Sequence, residues 1–380
     1  SGDRLLSGLV TGYEVALRFG YCWHDDHDRY QACGSWGTVA CAAAAAHLMK
    51  LPENRIRHAL GIADYHAPNL PMMRDSYGWE IEPGWIIWLP GLVTGLNVSC
   101  RAVGNPGDGA MTTVPIYPPF LTAPKHSDRK LQKTSMLEAN GKWVCDFDRF
   151  ERALTDSTRL FILCNPQNPT GRVFTREELA RFADICLRHD IIICSDEIHC
   201  QLILDEDRQH IPTATLSPEI ADRTITLMAP SKTYNLPGLG CSFAIIPNRQ
   251  LRKRFKTTMA GIVPFVNALG YTAALAAYRD GADWLKALLD YLRENRQVVE
   301  QAVAQMPELS MNHVEATYLA WIDTRQTGLA NPVEYFEEAG VGLSDGIHFD
   351  GPGFVRLNFG CPRPRLEEAL RRMREAASVL

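Results

Sequence analysis

The sequence predicts an α/β fold with a mostly parallel sheet, a smaller C-terminal α/β subdomain and a helical N-terminal segment. Three observations support this. After residue 74, short runs rich in β-branched residues alternate with amphipathic runs, which is typical of a parallel sheet covered by helices. Polar residues gather directly after the strand-like runs. Before residue 75, apolar residues recur at helical spacing without a convincing strand.

The elements of the second region follow in order from the apolar runs and their flanking residues. Strands are predicted over residues 85–89, 159–164, 191–198, 224–229 and 241–246, and then over 317–323 and 354–358. Helices are predicted over residues 92–103, 175–189 and 284–305, with a charged closing helix from Arg363. The pair Asn140-Gly141 predicts a hairpin turn.

These changes of pattern divide the chain into three predicted parts. Residues 1–74 form the helical segment, residues 75–265 the large domain and residues 266–380 the small subdomain. Open α/β sheets bind ligands at the carboxyl ends of their strands. The polar residues that follow the strands are therefore the candidates for function.

Composition excludes several classes of function. The net charge of -5 comes without a long basic run, so neither nucleic acid nor an anionic membrane is expected as a partner. The 11 cysteines are odd in number and lie in apolar stretches, which predicts reduced core thiols. No apolar run approaches the ~20 residues of a membrane span. We expect a cytoplasmic protein that acts on a small molecule.

Lys232 carries the clearest chemical signal. It follows the strand-like run 224–229, while Asn168 follows the run 159–164 and Asp196 lies near the end of the run 191–198. A lysine amine bonds the aldehyde of pyridoxal 5'-phosphate (PLP), a carboxylate keeps the ring nitrogen protonated, and an amide binds the ring oxygen. This ordered set of residues predicts a PLP site.

Four motifs together resemble the fold-type I PLP enzymes of the aminotransferase class I/II superfamily, and within them the cystathionine β-lyase (C–S lyase) branch. The motifs are Asn-Pro-Gln-Asn-Pro-Thr-Gly (165–171), Ser-Asp-Glu-Ile-His (195–199), Ser-Lys (231–232) and Phe-Val-Arg-Leu-Asn-Phe-Gly (354–360). The resemblance runs from about residue 75 to the end of the sequence. It implies a sheet of the seven-stranded type, PLP as the cofactor and a homodimer.

The resemblance also implies roles for the residues around the cofactor ring. Lys232 resembles the Schiff-base lysine that also moves the Cα proton, and Asp196 resembles the partner of the ring nitrogen. Asn168 and His199 resemble the groups around the ring 3-oxygen. Tyr117 resembles the aromatic residue that stacks on the ring face.

The remaining candidates bind anionic groups. Gly91, Leu92 and Val93 open a predicted helix, where backbone amides and the helix dipole favour a phosphate, and Ser231 offers a hydroxyl. Arg356 resembles the arginine that binds the substrate carboxylate, a role that suits the two parallel donors of a guanidinium. Asn168 is also a candidate for substrate binding beside it. No metal is expected.

Two positions favour a lyase over a transaminase. Transaminase relatives commonly have a tyrosine three residues after the aspartate and an arginine eight residues after the lysine, whereas this chain has His199 and Gly240. The expected reaction cleaves L-cystathionine or a related cysteine thioether to a thiol, pyruvate and ammonia. The alternatives are a class I/II aminotransferase and an inactive fusion that retains only the fold.

The N-terminal segment has a different resemblance. Residues 10–74 resemble a fragment of the 2-methylcitrate dehydratase (MmgE/PrpD) family through Gly-Tyr-Glu-Val-Ala-Leu-Arg and His-Ala-Leu-Gly-Ile-Ala. The fragment is too short for that family's helical domain, so no dehydratase activity is expected. The run His-Asp-Asp-His-Asp (24–28) is interpreted as a solvated loop, because consecutive polar residues rarely converge on one ion.

Overall fold

A seven-stranded, mostly parallel sheet forms the centre of the computed structural model. The structure describes residues 77–380 without interruption, together with residues 7, 43, 44, 46, 47 and 49–53. In spatial order its strands are β1 (Ile86–Leu89), β9 (Ser242–Ile245), β8 (Thr224–Met228), β7 (Ile192–Asp196), β6 (Thr158–Cys164), β2 (Gly109–Val114) and β3 (Lys130–Ser135). Strand β9 pairs antiparallel with both neighbours, and the remaining pairs of this sheet are parallel. The predicted α/β fold is confirmed.

Three sheets contain the strands of the described residues. The large sheet contains β1 to β3 and β6 to β9. A hairpin pairs β4 (Leu137–Ala139) with β5 (Lys142–Val144). The small sheet has the order β10-β11-β13-β12, with β10 (Ser310–Met311), β11 (Leu319–Asp323), β12 (Ser344–Asp345) and β13 (Phe354–Asn358).

The helices of residues 77–380 alternate with these strands. They are α1 (Leu92–Ala102), α2 (Pro118–Thr122), α3 (Phe147–Arg152), α4 (Arg176–Arg188), α5 (Pro218–Asp222), α6 (Arg249–Met259), α7 (Ala268–Asp280), α8 (Ala282–Val303), α9 (Pro332–Glu338) and α10 (Arg363–Ala377). Helix α4 shows how the sequence sets a boundary. Thr175 and Glu178 form a reciprocal capping box at its start, which satisfies backbone donors that have no partner within the helix.

The large sheet is buried on both faces, so its central strands are runs of apolar and β-branched residues. Every residue of β8 is buried. Helices α1 and α6 cover one face of the sheet, and α3 and α4 cover the other. A Cβ atom at Gly95 would lie 3.0 Å from the side chain of Leu227, so the glycine allows α1 to approach the sheet closely.

The small sheet packs directly onto the large domain. The rings of Trp321 on β11 and Phe354 on β13 stack with centroids 5.2 Å apart. Both side chains are buried in the same apolar cluster as Phe161 of the large sheet. The two sheets therefore share part of one core.

A buried carboxylate also joins the small sheet to the large domain. Glu315 is 2% exposed and lies 3.4 Å from Lys142, 3.3 Å from Arg172 and 3.2 Å from Arg208. The N–H of Val173 donates to the same carboxylate at 2.8 Å. Three cations and an amide thus hold the segment that leads into β11.

The predicted elements of residues 77–380 are confirmed, with ends that differ by a few residues. Asn140 and Gly141 have φ of 52° and 69° between β4 and β5, which is the left-handed pair that a two-residue hairpin turn requires. Sequence reasoning missed the strands β2, β3, β10 and β12.

The predicted helical segment 1–74, its boundary at residue 75 and the loop 24–28 lie almost wholly outside the described residues. The division into three parts stays a prediction. Among the helices that the structure describes, none is long and apolar enough to cross a membrane. The eight cysteines within the described ranges are unpaired, and seven of them are buried.

Candidate functional site

Three neighbouring strands of the large sheet bring their polar ends together. Asp196 is the last residue of β7 and is 4% exposed. The motif that contains Asn168 follows β6, and the loop that contains Lys232 follows β8. Because β6, β7 and β8 are adjacent and parallel, these ends lie at one edge of the sheet.

The carboxyl group of Asp196 is buried and accepts few hydrogen bonds. Its Oδ1 accepts a hydrogen bond from the N–H of Ile198 at 3.1 Å. Burial raises the pKa of Asp196 to about 7, and the nearby Glu197 also raises it, while the charge of Lys232 lowers it. A cationic group beside this carboxyl would hold it ionised.

Lys232 lies near two charges of opposite sign. Burial lowers the pKa of its amine, the cation of Arg356 lowers it further, and Asp196 raises it. A lowered pKa increases the fraction of neutral amine near neutral pH. The neutral amine is the form that attacks an aldehyde or accepts a proton.

A chain of hydrogen bonds links Tyr117, Asn168 and Arg356. Arg356 Nη1 donates to Asn168 Oδ1 at 3.0 Å, and the N–H of Tyr117 donates to the Asn168 carbonyl at 3.1 Å. Arg356 Nη2 also donates to Ser344 Oγ at 3.4 Å, and its guanidinium lies 4.6 Å from the centre of the Phe349 ring. One asparagine therefore orients an arginine and an aromatic residue at the same site.

His199 is buried and has a free ring nitrogen. Burial lowers the pKa of His199 to about 3, and the cations of Lys232 and Arg356 lower it as well, so the imidazole is neutral. Its Nδ1 is buried without a hydrogen-bond partner. The ring meets Tyr318 edge-on, with centroids 6.4 Å apart.

The start of α1 lies close to the segment after Lys232. Gly91 is the N-cap of α1, with Leu92 and Val93 in its first turn, and a Cβ atom at Gly91 would meet nothing within 4 Å. Gly240 approaches this turn so closely that a Cβ atom there would lie 3.0 Å from the Pro90 carbonyl oxygen. Amides at a helix start with open space before them form a place for an anion.

Ser231 precedes Lys232 in the loop after β8 and is half-buried. Its carbonyl accepts a hydrogen bond from the N–H of Leu236 at 3.0 Å, which closes the loop. The structure describes no contact of the Ser231 side chain with the other candidates. Its proposed part in phosphate binding stays a prediction.

The residues present fit PLP. The amine of Lys232 suits the aldehyde, the carboxyl of Asp196 suits a cationic ring nitrogen, and the start of α1 suits a phosphate. The Nδ1 atom of His199 and the Nε atom of Arg356 are both buried and unpartnered. Such atoms carry an unfavourable free energy unless a bound group supplies their hydrogen bonds.

Sequence reasoning missed Ser344, Phe349 and Tyr318 at this site. Ser344 and Phe349 contact Arg356, and Tyr318 contacts His199. Only Tyr318 carried a local signal, since it stands at the start of a predicted strand. The other two reach the site through the packing of the small sheet.

Comparisons with known proteins agree with this geometry. The family model described as aminotransferase class I and II matches residues 37–373, and so begins upstream of residue 75. Cystathionine beta-lyase PatB of Bacillus subtilis (strain 168) is 37% identical over 314 residues, which cover 80% of this chain and 81% of that protein.

Two solved structures extend the comparison. The crystal structure of OvoB is 47% identical with a TM-score of 0.80, and the match covers 81% of this chain and 82% of that one. The crystal structure of cystalysin from Treponema denticola, which contains a PLP cofactor, is 33% identical with a TM-score of 0.77. That match covers 81% of this chain and 80% of the cystalysin chain.

Proposed function

The chain belongs to the aminotransferase class I and II family, and we propose that within it this protein is a PLP-dependent C–S β-lyase. The proposed reaction cleaves L-cystathionine or a related cysteine thioether to a thiol, pyruvate and ammonia. The observation that carries the proposal is that Lys232 follows β8 at the edge of the sheet where β7 ends in Asp196, near enough to Asp196 and Arg356 for both charges to shift the lysine's pKa. Relatives named cystathionine beta-lyase and cystalysin support it.

The chain provides a matching group for each part of the cofactor. Lys232 would bind the aldehyde, Asp196 would hold the ring nitrogen, and the amides of Gly91, Leu92 and Val93 with Ser231 would hold the phosphate, while Tyr117, Asn168 and His199 would border the ring. When bound, PLP supplies a ring that accepts the electrons left at the substrate's Cα. Every other step falls to the protein's own side chains.

Arg356 and Lys232 act on the substrate. The guanidinium of Arg356 binds the α-carboxylate, and its hydrogen bond to Asn168 fixes the plane in which it does so. Substrate held in this way presents its Cα hydrogen to the amine of Lys232, which accepts the proton. The thiolate then leaves from Cβ and is protonated to the thiol. Hydrolysis of the remaining three-carbon fragment yields pyruvate and ammonia.

The backbone at Gly240, beside the start of α1, favours a lyase over a transaminase. Gly240 occupies the position at which transaminases commonly carry an arginine, and its φ is +57°. A side chain there would be strained by the backbone and would lie 3.0 Å from the Pro90 carbonyl. Position 240 therefore favours glycine over any residue with a side chain.

Visible absorbance after incubation with PLP tests the cofactor site. The wild-type protein is expected to develop the absorption band of lysine-bound cofactor, Lys232→Ala to lack it, and Lys253→Ala, a change at an exposed lysine, to retain it. A protein without the band would be the inactive fusion, which contradicts the proposal.

Pyruvate release tests the reaction. The lyase is expected to release pyruvate from L-cystathionine with no 2-oxo acid added, because elimination needs no amino acceptor. Turnover that starts only after a 2-oxo acid is supplied would identify an aminotransferase instead. Lys232→Ala is the blank for both assays.

We also propose that the protein works as a homodimer. Ile262, Phe265 and Leu269 are 67%, 86% and 69% exposed, which is unusual for large apolar side chains close together in sequence. Asn267, within this segment, donates to the Leu239 carbonyl at 2.8 Å, next to Gly240 and the start of α1. A second copy of the chain bound to this surface would also cover Gly240 and the start of α1.

Sedimentation velocity of Phe265→Asp tests this interface. The wild type is expected to sediment as a dimer and the variant as a monomer with unchanged circular dichroism. Val379→Asp is the matched control, since Val379 is 78% exposed near the end of the chain. A wild-type monomer at micromolar concentration would contradict the proposed dimer.

A further inference from the structure

A second buried carboxylate lies directly behind Asp196. Glu197 follows β7 and its side chain is 0% exposed, as is that of His210, whose Nε2 lies 2.8 Å from Glu197 Oε2. The other oxygen, Oε1, accepts hydrogen bonds from the Ser195 hydroxyl at 2.8 Å and from the N–H of Thr213 at 3.0 Å. The proposed function gives no role to any of these four groups.

The hydrogen bonds around Glu197 indicate its charge. The Thr213 amide and the Ser195 hydroxyl both donate to it, and the imidazole of His210 completes the set through Nε2. The Nδ1 atom of His210 is buried without a partner, and the Thr213 amide can only donate to Glu197. Glu197 is therefore the hydrogen-bond acceptor of this buried cluster, which is the role of a carboxylate.

Glu197 and Asp196 lie on opposite sides of the same strand end. Successive side chains alternate along a strand, and Ser195 and Glu197 share the contact with Thr213. The side chain of Asp196 therefore lies on the other side, towards Lys232. The peptide of Glu197 stays in register, because its N–H donates to the Leu227 carbonyl of β8 at 2.9 Å.

Two further titratable groups near Glu197, the Tyr77 hydroxyl and the Cys200 thiol, add no charge of their own. Burial is the main reason that the pKa of Tyr77 is well above its ordinary range and that of Cys200 is about 12, and the charge of Glu197 raises both pKa values further. Both are therefore neutral near pH 7. The charge of Glu197 acts on Asp196, where it adds to the effect of burial.

We propose that Glu197 is a positioning residue whose buried negative charge, added behind Asp196, keeps the ring nitrogen of the bound cofactor protonated. The inference rests on the proposed function, because it concerns how tightly PLP is held. Asp196 is the group that meets the ring nitrogen, and Glu197 acts through it. Two carboxylates favour a cationic ring more than one does, since charges in a buried site are weakly screened.

Binding of two cofactors to the cofactor-free protein tests the inference. One is PLP, and the other is its deaza analogue, in which carbon replaces the ring nitrogen. Glu197→Gln is expected to weaken PLP binding about tenfold and to leave binding of the analogue unchanged, because only PLP has a nitrogen to protonate. Glu197→Asp retains the charge and is expected to keep the wild-type ratio of the two affinities.

The outcomes separate this inference from the proposed function. An equal loss of affinity for both compounds in Glu197→Gln would mean a purely structural role and would overturn the inference alone. Failure of the wild type to bind either compound would overturn the proposed function and the inference with it. Glutamine matches glutamate in shape, and its carbonyl oxygen still accepts from Ser195 and Thr213.

The cofactor-free protein offers a second, independent measurement. The charge of Glu197 raises the pKa of Asp196, so Glu197→Gln should lower it. The free energy of unfolding of Glu197→Gln is then expected to fall less steeply than that of the wild type between about pH 5 and about pH 7. Identical slopes would overturn the inference.

Discussion

Replacing Asp196 by asparagine should stabilise the cofactor-free protein at alkaline pH. Burial raises the pKa of Asp196 from its ordinary 3.8 to about 7, so the folded protein holds this proton more tightly than the unfolded chain does. The resulting stability is fully present below the ordinary pKa and is lost as the pH rises through about 7. Asparagine removes this pH dependence, because its amide does not titrate.

The size of the effect follows from the shift itself. One pH unit corresponds to about 1.4 kcal/mol wherever the unfolded chain has released the proton and the folded protein has not. Between about pH 5 and about pH 8.5 the wild type therefore loses about 3 kcal/mol through this group, most of it below the folded pKa of about 7. The stability difference between Asp196→Asn and the wild type should grow by the same amount.

Urea unfolding of both cofactor-free proteins, at about pH 5 and about pH 8.5, measures this difference. Asp207→Asn, a change at an exposed aspartate, shows what loss of a carboxylate does elsewhere on the molecule. A difference that stays constant within about 0.5 kcal/mol between the two pH values would refute the reasoning, because it would mean that the Asp196 carboxylate carries no burial cost. With PLP bound, the wild type should be the more stable protein, because the Asp196 carboxylate can keep the ring nitrogen protonated and the asparagine amide cannot.

Three further changes probe other parts of the molecule. Arg356→Leu should raise KM for the amino-acid substrate about 100-fold, because the carboxylate loses its guanidinium partner. It should also raise the pH at which the rate of PLP binding to Lys232 is half-maximal, because Arg356 lowers the pKa of Lys232. An unchanged half-maximal pH in stopped-flow absorbance would contradict this. Glu315→Gln should lower the free energy of unfolding by about 3 kcal/mol in urea titrations, since Arg172 and Arg208 lose the buried carboxylate that they share, and a loss below about 0.5 kcal/mol would show that Glu178 and solvent replace it. Gly141→Ala should cost about 1 kcal/mol in the same assay with kcat unchanged, because φ is +69° in the hairpin turn, and full stability would mean that the turn changes type.

Much of the large sheet can be predicted from the sequence because its central strands are buried on both faces. Strands such as β8 are continuous runs of apolar and β-branched residues with turn signals at each end. Strand β2 was missed although all of its residues are buried, since Gly-Ala-Met-Thr-Thr-Val is neither strongly apolar nor alternating. Strands β10 and β12 have two residues each and exist only through their pairing with neighbours.

The site divides in the same way between local and distant information. Asn168, Asp196 and Lys232 lie in short motifs at or just after the end of a strand, so order along the chain was enough to suggest them. The contact between Glu197 and His210 joins residues 13 apart, across a loop without a regular pattern. Ser344 meets Arg356 only because β12 pairs with β13, and no spacing in the sequence encodes that pairing.

The shared bonds of Asn168 affect how this pocket can be altered by mutation. Its side chain holds Arg356 and its backbone carbonyl holds the backbone of Tyr117, so a substitution of Asn168 removes the first bond and leaves the second. Changes at Arg356 and Asn168 should consequently be epistatic, and their costs should not add. Ser344 stands on the edge strand β12 and meets Arg356 from the other side at 3.4 Å. Substitutions at Ser344 can therefore change how the substrate carboxylate is bound while the residues around the cofactor stay the same. Changes in substrate preference should arise most readily at this position.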